Sequence, residues 1–286
     1  MERKHPTTST GHLRVKLINL RLLHMDMFDL SKIEVYRNDI KNNIKLPREL
    51  DEKLAHFLGI HLGDGHLYRK AGDYRMFYDG HYINEFKWYH TFLSTSIYEL
   101  FNRKIYPAKG HNTIRIEFSS KAIHSFLNKI CGLPIGPKTN CDIPQIIKEA
   151  DMNIKKAFLR GLADTDFSLV FKNRHKNINY YPVIDHQTSN KTLHNSIVQL
   201  LSDLGFSVHS GERLMKRKDK FHMSYYLQIN GVKALERWMK EIGFTSNNQL
   251  TKLQVWRKFG FLPAGTNIND RIDMLNGKKN INSFRK

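Results

Sequence analysis

The sequence predicts an α+β chain of two similar halves, each running helix, two strands, helix, two strands, helix. Three observations predict it: a helix with a stripe of small residues that occurs twice, alternating apolar and polar segments after each copy, and a large positive charge concentrated on those segments.

The repeat has an offset of 102 residues. LAHFLGIHLGDGHLY (54–68) aligns with KAFLRGLADTDFSLV (156–170), carrying Ala55 to Ala157, Gly59 to Gly161, Gly63 to Thr165 and Asp64 to Asp166. Small residues four apart lie on one helix face, so Ala55, Gly59 and Gly63 form one bare stripe and Ala157, Gly161 and Thr165 another. Gly inside a helix costs about 1 kcal/mol relative to Ala, and two copies of such a stripe imply a packing reason, most simply that the stripes face each other. Each stripe ends one residue before an aspartate. Asp64 and Asp166 therefore sit at helix C-termini, where the dipole disfavours a carboxylate and carbonyls lack partners. Side-by-side helices would add like-charge repulsion. A divalent cation would compensate, and carboxylates with the carbonyls of Gly63 and Thr165 are hard oxygen ligands that suit Mg²⁺, with Mn²⁺ or Ca²⁺ as substitutes in binding.

The elements follow in order. HLYRK (66–70) and YRMFY (74–78) alternate around the turn-prone AGD, and a helix is expected over about 83–103. KIYPAKG and TIRIEFS form a hairpin, with Ile114, Ile116 and Phe118 facing the core and Arg115, Glu117 and Ser119 facing outward. A helix near 120–131 and the Gly/Pro-rich loop GLPIGPKTNCDIP close this half. In the second half, strands near 167–173 and 180–187 precede a helix near 190–204, a hairpin over about 207–230 and a helix from about 231 to 242.

The chain has 286 residues, 40% of them hydrophobic, which indicates a globular protein with a real core. Its 46 Lys+Arg against 27 Asp+Glu leave +19, a surplus that calls for a polyanion. No apolar run approaches the ~20 residues of a membrane span, so nucleic acid is preferred over membrane. Two cysteines without a CxxC pattern and histidines without ligand spacing argue against zinc and for an intracellular, cytoplasmic setting, an organelle being the open alternative. The basic residues fall on the strands and hairpin tips: Arg69, Lys70 and Arg75, then Lys109 and Arg115, then Lys172 and Arg174, then Arg213, Lys216, Arg217, Lys218 and Lys220. A sheet with one basic face can lie along a DNA groove and read base edges with alternate side chains.

FLGIHLGDG (57–65) and FLRGLADTD (158–166) resemble the paired motifs of monomeric LAGLIDADG homing endonucleases, and DTDFSLVFK and LTKLQVWRKFGF (250–261) look like archaeal intron-encoded members. The resemblance spans roughly 40–260. It implies pseudo-twofold αββαββα halves whose saddle-shaped sheets bind double-stranded DNA, with Asp64 and Asp166 as metal ligands and catalytic residues. It also implies a catalytic lysine, matched by Lys138 in GPKTN, with Lys252 as the substitute in the second-half loop FTSNNQLTK, and Gln187 as a residue positioning water. Leu62 replaces the first acidic residue of one motif while Asp164 keeps it in the other, and Phe167 replaces the second motif's final glycine. The expected organisation is a basic N-terminal extension (1–45), a first half (46–145), a second half (146–265) and a mobile basic C-terminal tail (266–286), acting as a monomer. The expected activity is hydrolysis of one phosphodiester per strand at a long site. The alternatives are an RNA maturase acting on its own intron RNA and a non-cleaving DNA-binding regulator, against both of which the retained aspartates weigh.

Overall fold

After a short helix, α1 (Arg37–Lys41), the chain enters α2 (Glu52–Gly63), whose start is set by Asp51 accepting the Leu54 N–H at 2.7 Å. The structure, a computed structural model, describes residues 27–217 and 220–284, without the Arg217 side chain. Most of the expected N-terminal extension, with its basic residues Arg14, Lys16 and Arg21, lies outside the described residues, as does Lys218. What is described of that extension packs on the first half. Phe28 meets Phe126 edge-on at 5.6 Å, and buried Asp39 accepts from Ser120 Oγ at 2.6 Å and from the Ala122 N–H at 3.2 Å.

From α2 the chain forms β1 (Gly65–Lys70) and β2 (Asp73–His81), then α3 (Tyr82–Trp88), a π turn (Tyr89–Leu93) and α4 (Ser94–Phe101). The single helix expected over 83–103 is thus interrupted by a π turn, where Ser94 Oγ donates to the Tyr89 carbonyl at 2.8 Å. Strands β3 (Ala108–Lys109) and β4 (Thr113–Ser119) follow, then α5 (Lys121–Ser125), which also passes into a π turn, and α6 (Gln145–Lys148). The second half repeats the order: α7 (Met152–Thr165), β5 (Phe167–Lys172), β6 (Tyr181–Thr188), α8 (Lys191–Asp203), β7 (His209–Arg217), β8 (Lys220–Asn230) and α9 (Val232–Glu241). The two antiparallel sheets have the same strand order, β1-β2-β4-β3 and β5-β6-β8-β7. The strand alternation does what the sequence predicts, burying Ile114, Ile116 and Phe118 and leaving Arg115, Glu117 and Ser119 exposed.

The halves meet along α2 and α7, and the contact is backbone on backbone. A Cβ added to Gly59 would lie 2.1 Å from the Phe158 carbonyl oxygen, and one added to Gly161 would lie 1.9 Å from that of His56. The bare stripes do face each other.

Two segments depart from expectation. FTSNNQLTK, read as a loop, begins α10 (Asn247–Phe259), which ends at Gly260 in the left-handed conformation, φ 79°. The expected mobile tail instead contains α11 (Ile268–Leu275), opened by a reciprocal capping box between Asn267 and Asp270. It buries Ile268, Arg271 and Met274 against α10 and α3, and the Ile268 N–H donates to Asn84 Oδ1 at 3.1 Å. The Asn- and Lys-rich composition of this region masks a helical spacing of apolar residues. No helix among the described residues is long and apolar enough to cross a membrane.

Candidate metal centre and nucleic-acid interface

Asp64 and Asp166 are the C-cap residues of α2 and α7, their N–H groups closing the last turns on the Ile60 and Leu162 carbonyls at 3.0 and 2.9 Å. Because Gly63 lacks a side chain, the end of α7 can press against it. An added Cβ there would stand 2.0 Å from Thr165 Oγ1 and 3.3 Å from Asp166 Cγ. The helix packing thus delivers both carboxylates to the seam between the two halves, with Asp64 half-buried and Asp166 the more exposed of the two.

Both carboxylates are held above the ordinary range. For Asp64 burial is the main cause, reinforced by the charges of Asp166 and Glu85 and opposed by Lys138. Asp166 is raised to about 6, again by crowding that displaces water, with Lys138 opposing. Among the described residues, Lys138 is the cation that acts on both. Its ammonium donates to the carbonyls of Leu62 at 2.7 Å, His61 at 3.4 Å and Gly63, so it occupies the electronegative end of α2. Burial lowers its pKa while Asp166 and Asp64 pull the other way.

Lys252 lies elsewhere. It sits on α10, not in a loop, donates to Gln249 Oε1 at 3.1 Å, and is lowered to about 8 by burial and by the neighbouring Arg271, with Glu85 opposing. Gln187, on β6, has both ends of its amide engaged: Nε2 donates to Ser224 Oγ at 2.6 Å, and Arg213 donates to Oε1 at 2.7 Å. Since Gly65 pairs with Tyr78 and Phe167 with His186, the first-half counterpart of Gln187 is Asp79. Arg115 grips Asp79 with two bonds of 2.6 and 3.0 Å. Asp79, Glu85 and Tyr89 gather around Asp64: the charges of Asp79 and Glu85 raise its pKa, and the buried Tyr89 hydroxyl has no hydrogen-bond partner among the described residues. None of these three was expected. Their one sequence signal is Gly80 within a strand, where a Cβ would meet the Tyr89 ring at 2.5 Å and Glu85 Oε2 at 2.7 Å.

Asp164 explains why one motif keeps its first acidic residue. Its carboxylate accepts from His56 Nε2 at 3.0 Å across the helix interface, from the Thr245 and Ser246 N–H groups at 2.7 and 2.8 Å, and from Thr245 Oγ1 at 2.5 Å. It therefore ties α2, α7 and the start of α10 together. The equivalent Leu62 is packed in the apolar core.

Register sorts the basic residues by face. The open face of the first sheet carries Lys70, Arg75 and Arg115, which share the side of Tyr68 and Phe77, and that of the second carries Lys172, Arg213 and Lys220. Arg69 and Lys109 pair with Tyr74 and Ile114 and so point to the helix-bearing side, their charges lying over the Tyr74 and Tyr82 rings at 5.4 and 4.5 Å. Lys216, opposite Phe221, shares the face of Leu227. Strand alternation removes these three from the open face. Arg174 lies beyond β5, with its guanidinium 3.6 Å from the Tyr181 ring centre. On the first sheet the open-face arginines are paired internally, Arg75 with Glu117 at 3.1 Å and Asp73 at 2.5 Å, and Arg115 with Asp79.

Fold and site define a class: a single chain of two matched α+β halves, with a carboxylate pair where the connecting helices end and an open sheet face on either side. Residues 153–243, within the second half, match the LAGLIDADG-like domain. Among curated proteins it is similar to the tRNA-splicing ligases RtcB of Methanopyrus kandleri (28% identical over 208 residues) and Pyrococcus abyssi (26% over 205). These matches cover 67% of this chain but 20% and 22% of the relatives, so the chain spans about a fifth of their length. Among solved structures it is similar to mesophilic variants of the homing endonuclease I-DmoI (20% identical, TM-score 0.47, 67% of this chain and 95% of that one). It is also similar to the homing endonuclease I-WcaI bound to its DNA recognition sequence (14%, 0.45, 78% and 96%).

The electrostatics make a stability prediction. A carboxylate that binds its proton more tightly folded than unfolded opposes folding once ionised. For Asp166 that penalty is absent below the usual range near pH 4 and complete above about 6. In EDTA, Asp166→Asn should be more stable than the parent above about pH 6, with the difference shrinking towards pH 4. Urea midpoints across that range test it, and equal midpoints at pH 7 would remove the electrostatic penalty.

Proposed function

We propose that the chain is a site-specific double-stranded DNA endonuclease of the homing type, hydrolysing one phosphodiester on each strand of a long recognition site. The observation that carries this reading is the carboxylate pair at the seam between two open, basic sheet faces. The donors fit a hard divalent cation such as Mg²⁺: two carboxylates crowded into a partly dry site, each raised in pKa with Lys138 opposing, form a deficit that a cation would fill. Asp64 and Asp166 would hold it, with the Thr165 carbonyl beside them. The Gly63 carbonyl, expected as a ligand, is here engaged by Lys138. A cation so held would lower the pKa of bound water and stabilise the leaving 3′ oxygen.

The chain's own residues do the rest. Lys138, held at the end of α2 and within reach of the charges of both carboxylates, offsets charge developing on the scissile phosphate. Gln187 and its first-half counterpart Asp79, on opposite sheets, orient water with their side chains. Lys252 joins the first-half cluster through Glu85 and supplies a second positive charge. The six open-face cations contact phosphates and fix the register on the duplex, while interleaved Tyr68, Phe77, Tyr226 and Gln228 meet base edges.

The direct test is cutting of intronless and intron-containing alleles of the host gene, with Mg²⁺ or EDTA. We expect Mg²⁺-dependent cutting of the intronless allele, reduced about a thousandfold or more in Asp64→Asn and in Asp166→Asn. Tight binding of intron RNA without cutting would favour the maturase. A second test uses the salt dependence of duplex binding: Lys70→Ala should lower the log–log slope by about 1, whereas Arg69→Ala, on the helix side, should leave it unchanged. Equal effects from these neighbours would contradict the assignment of the open face.

A further inference from the structure

Lys138 belongs to the first half by sequence, yet the second half holds it. Its loop has two anchors. At the near end, the Gly136 N–H donates to the Leu67 carbonyl at 2.8 Å and Ile135 bridges to Leu67, which ties the loop to β1. At the far end, Asn190 Nδ2 donates to the carbonyls of Lys138 at 3.1 Å and Cys141 at 2.7 Å, and the Cys141 thiol donates to the same Lys138 carbonyl at 3.2 Å. Asn190 is 5% exposed and lies just past the end of β6. Its Oδ1 accepts the Leu193 N–H at 3.2 Å as the N-cap of α8, so the amide cannot turn without losing one set of bonds. Between the anchors, the Lys138 side chain reaches the carbonyls at the end of α2.

We infer that Asn190 is a positioning residue for Lys138: through the loop 136–142 the second half sets the ammonium of the first beside the carboxylate pair. Docking of the halves and placement of this lysine are then one event, and neither half holds a complete site alone. The buried amide has a different job on each side. Oδ1 serves α8, while Nδ2 serves only the loop. A cap alone would need no donor, and Ser or Asp would cap as well as Asn. Two loop carbonyls from the other half account for the amide.

The inference rests on the endonuclease reading for what Lys138 does, and its test separates the two. Asn190→Asp and Asn190→Ser keep the cap and remove the paired donors. In the full chain we expect faster hydrogen exchange across 136–142, with protection across α8 retained. On a duplex that the parent cuts, we expect the single-turnover rate to fall about tenfold to a hundredfold with duplex affinity unchanged. In a Lys138→Met background the Asn190 change should cost nothing further. Retained protection of 136–142, or a rate loss that adds in full to that of Lys138→Met, would overturn the inference. A parent chain that cuts no duplex would count against the endonuclease reading instead, and the exchange result would still decide the positioning.

Discussion

Everything at the seam depends on how closely α2 and α7 can approach. At Gly59 and Gly161 each helix backbone touches the other where a side chain would stand, with an added Cβ at 2.1 and 1.9 Å from the facing carbonyl oxygens. Such contact gains dispersion energy along the whole stripe and outweighs the helix propensity lost at the glycines. It also decides where the helices end relative to each other. With the axes this close, the two C-caps cannot be far apart, and both are aspartates. The chemical site is a by-product of the packing: the same stripe that joins the halves brings together two charges that repel.

Several devices offset that repulsion, and they are not symmetric. Lys138 plugs the end of α2, but Lys252, the substitute expected in the second half, serves Glu85 and Gln249 instead of the end of α7. Asp164 joins α7 to His56 and to the start of α10, while Leu62 in the other motif packs into the core. Asp79 is locked by Arg115, while Gln187 sits between Arg213 and Ser224. Two halves with the same fold therefore present different polar surroundings to one carboxylate pair.

Much of this could be read before any coordinates. The stripes, the two aspartates and the αββαββ order follow from short-range periodicity, because spacings of two and four residues report directly on faces. What local pattern leaves hidden has one cause. Arg69, Lys109 and Lys216 sit among basic neighbours, yet a shift of one position along a strand reverses the face, and only the pairing register shows which side is open. Asp79, Glu85 and Tyr89 come together through that register and a π turn, neither of which the local pattern encodes. The helices α10 and α11 were hidden by their Asn- and Lys-rich composition, and their starts depend on Asp164, from a distant segment, and on a capping box outside any long apolar run.

In the proposed seam, Asp64 and Asp166 form one shared cation site and not two adjacent ones. Titrating metal-free protein with Mn²⁺, and following bound ion by electron paramagnetic resonance, tests it most directly. A shared site predicts that Asp64→Asn and Asp166→Asn each abolish tight Mn²⁺ binding, because neither carboxylate alone holds the ion. If each variant kept half of the parent's bound Mn²⁺ at undiminished affinity, the two aspartates would be independent ligands and the account of the seam would be wrong.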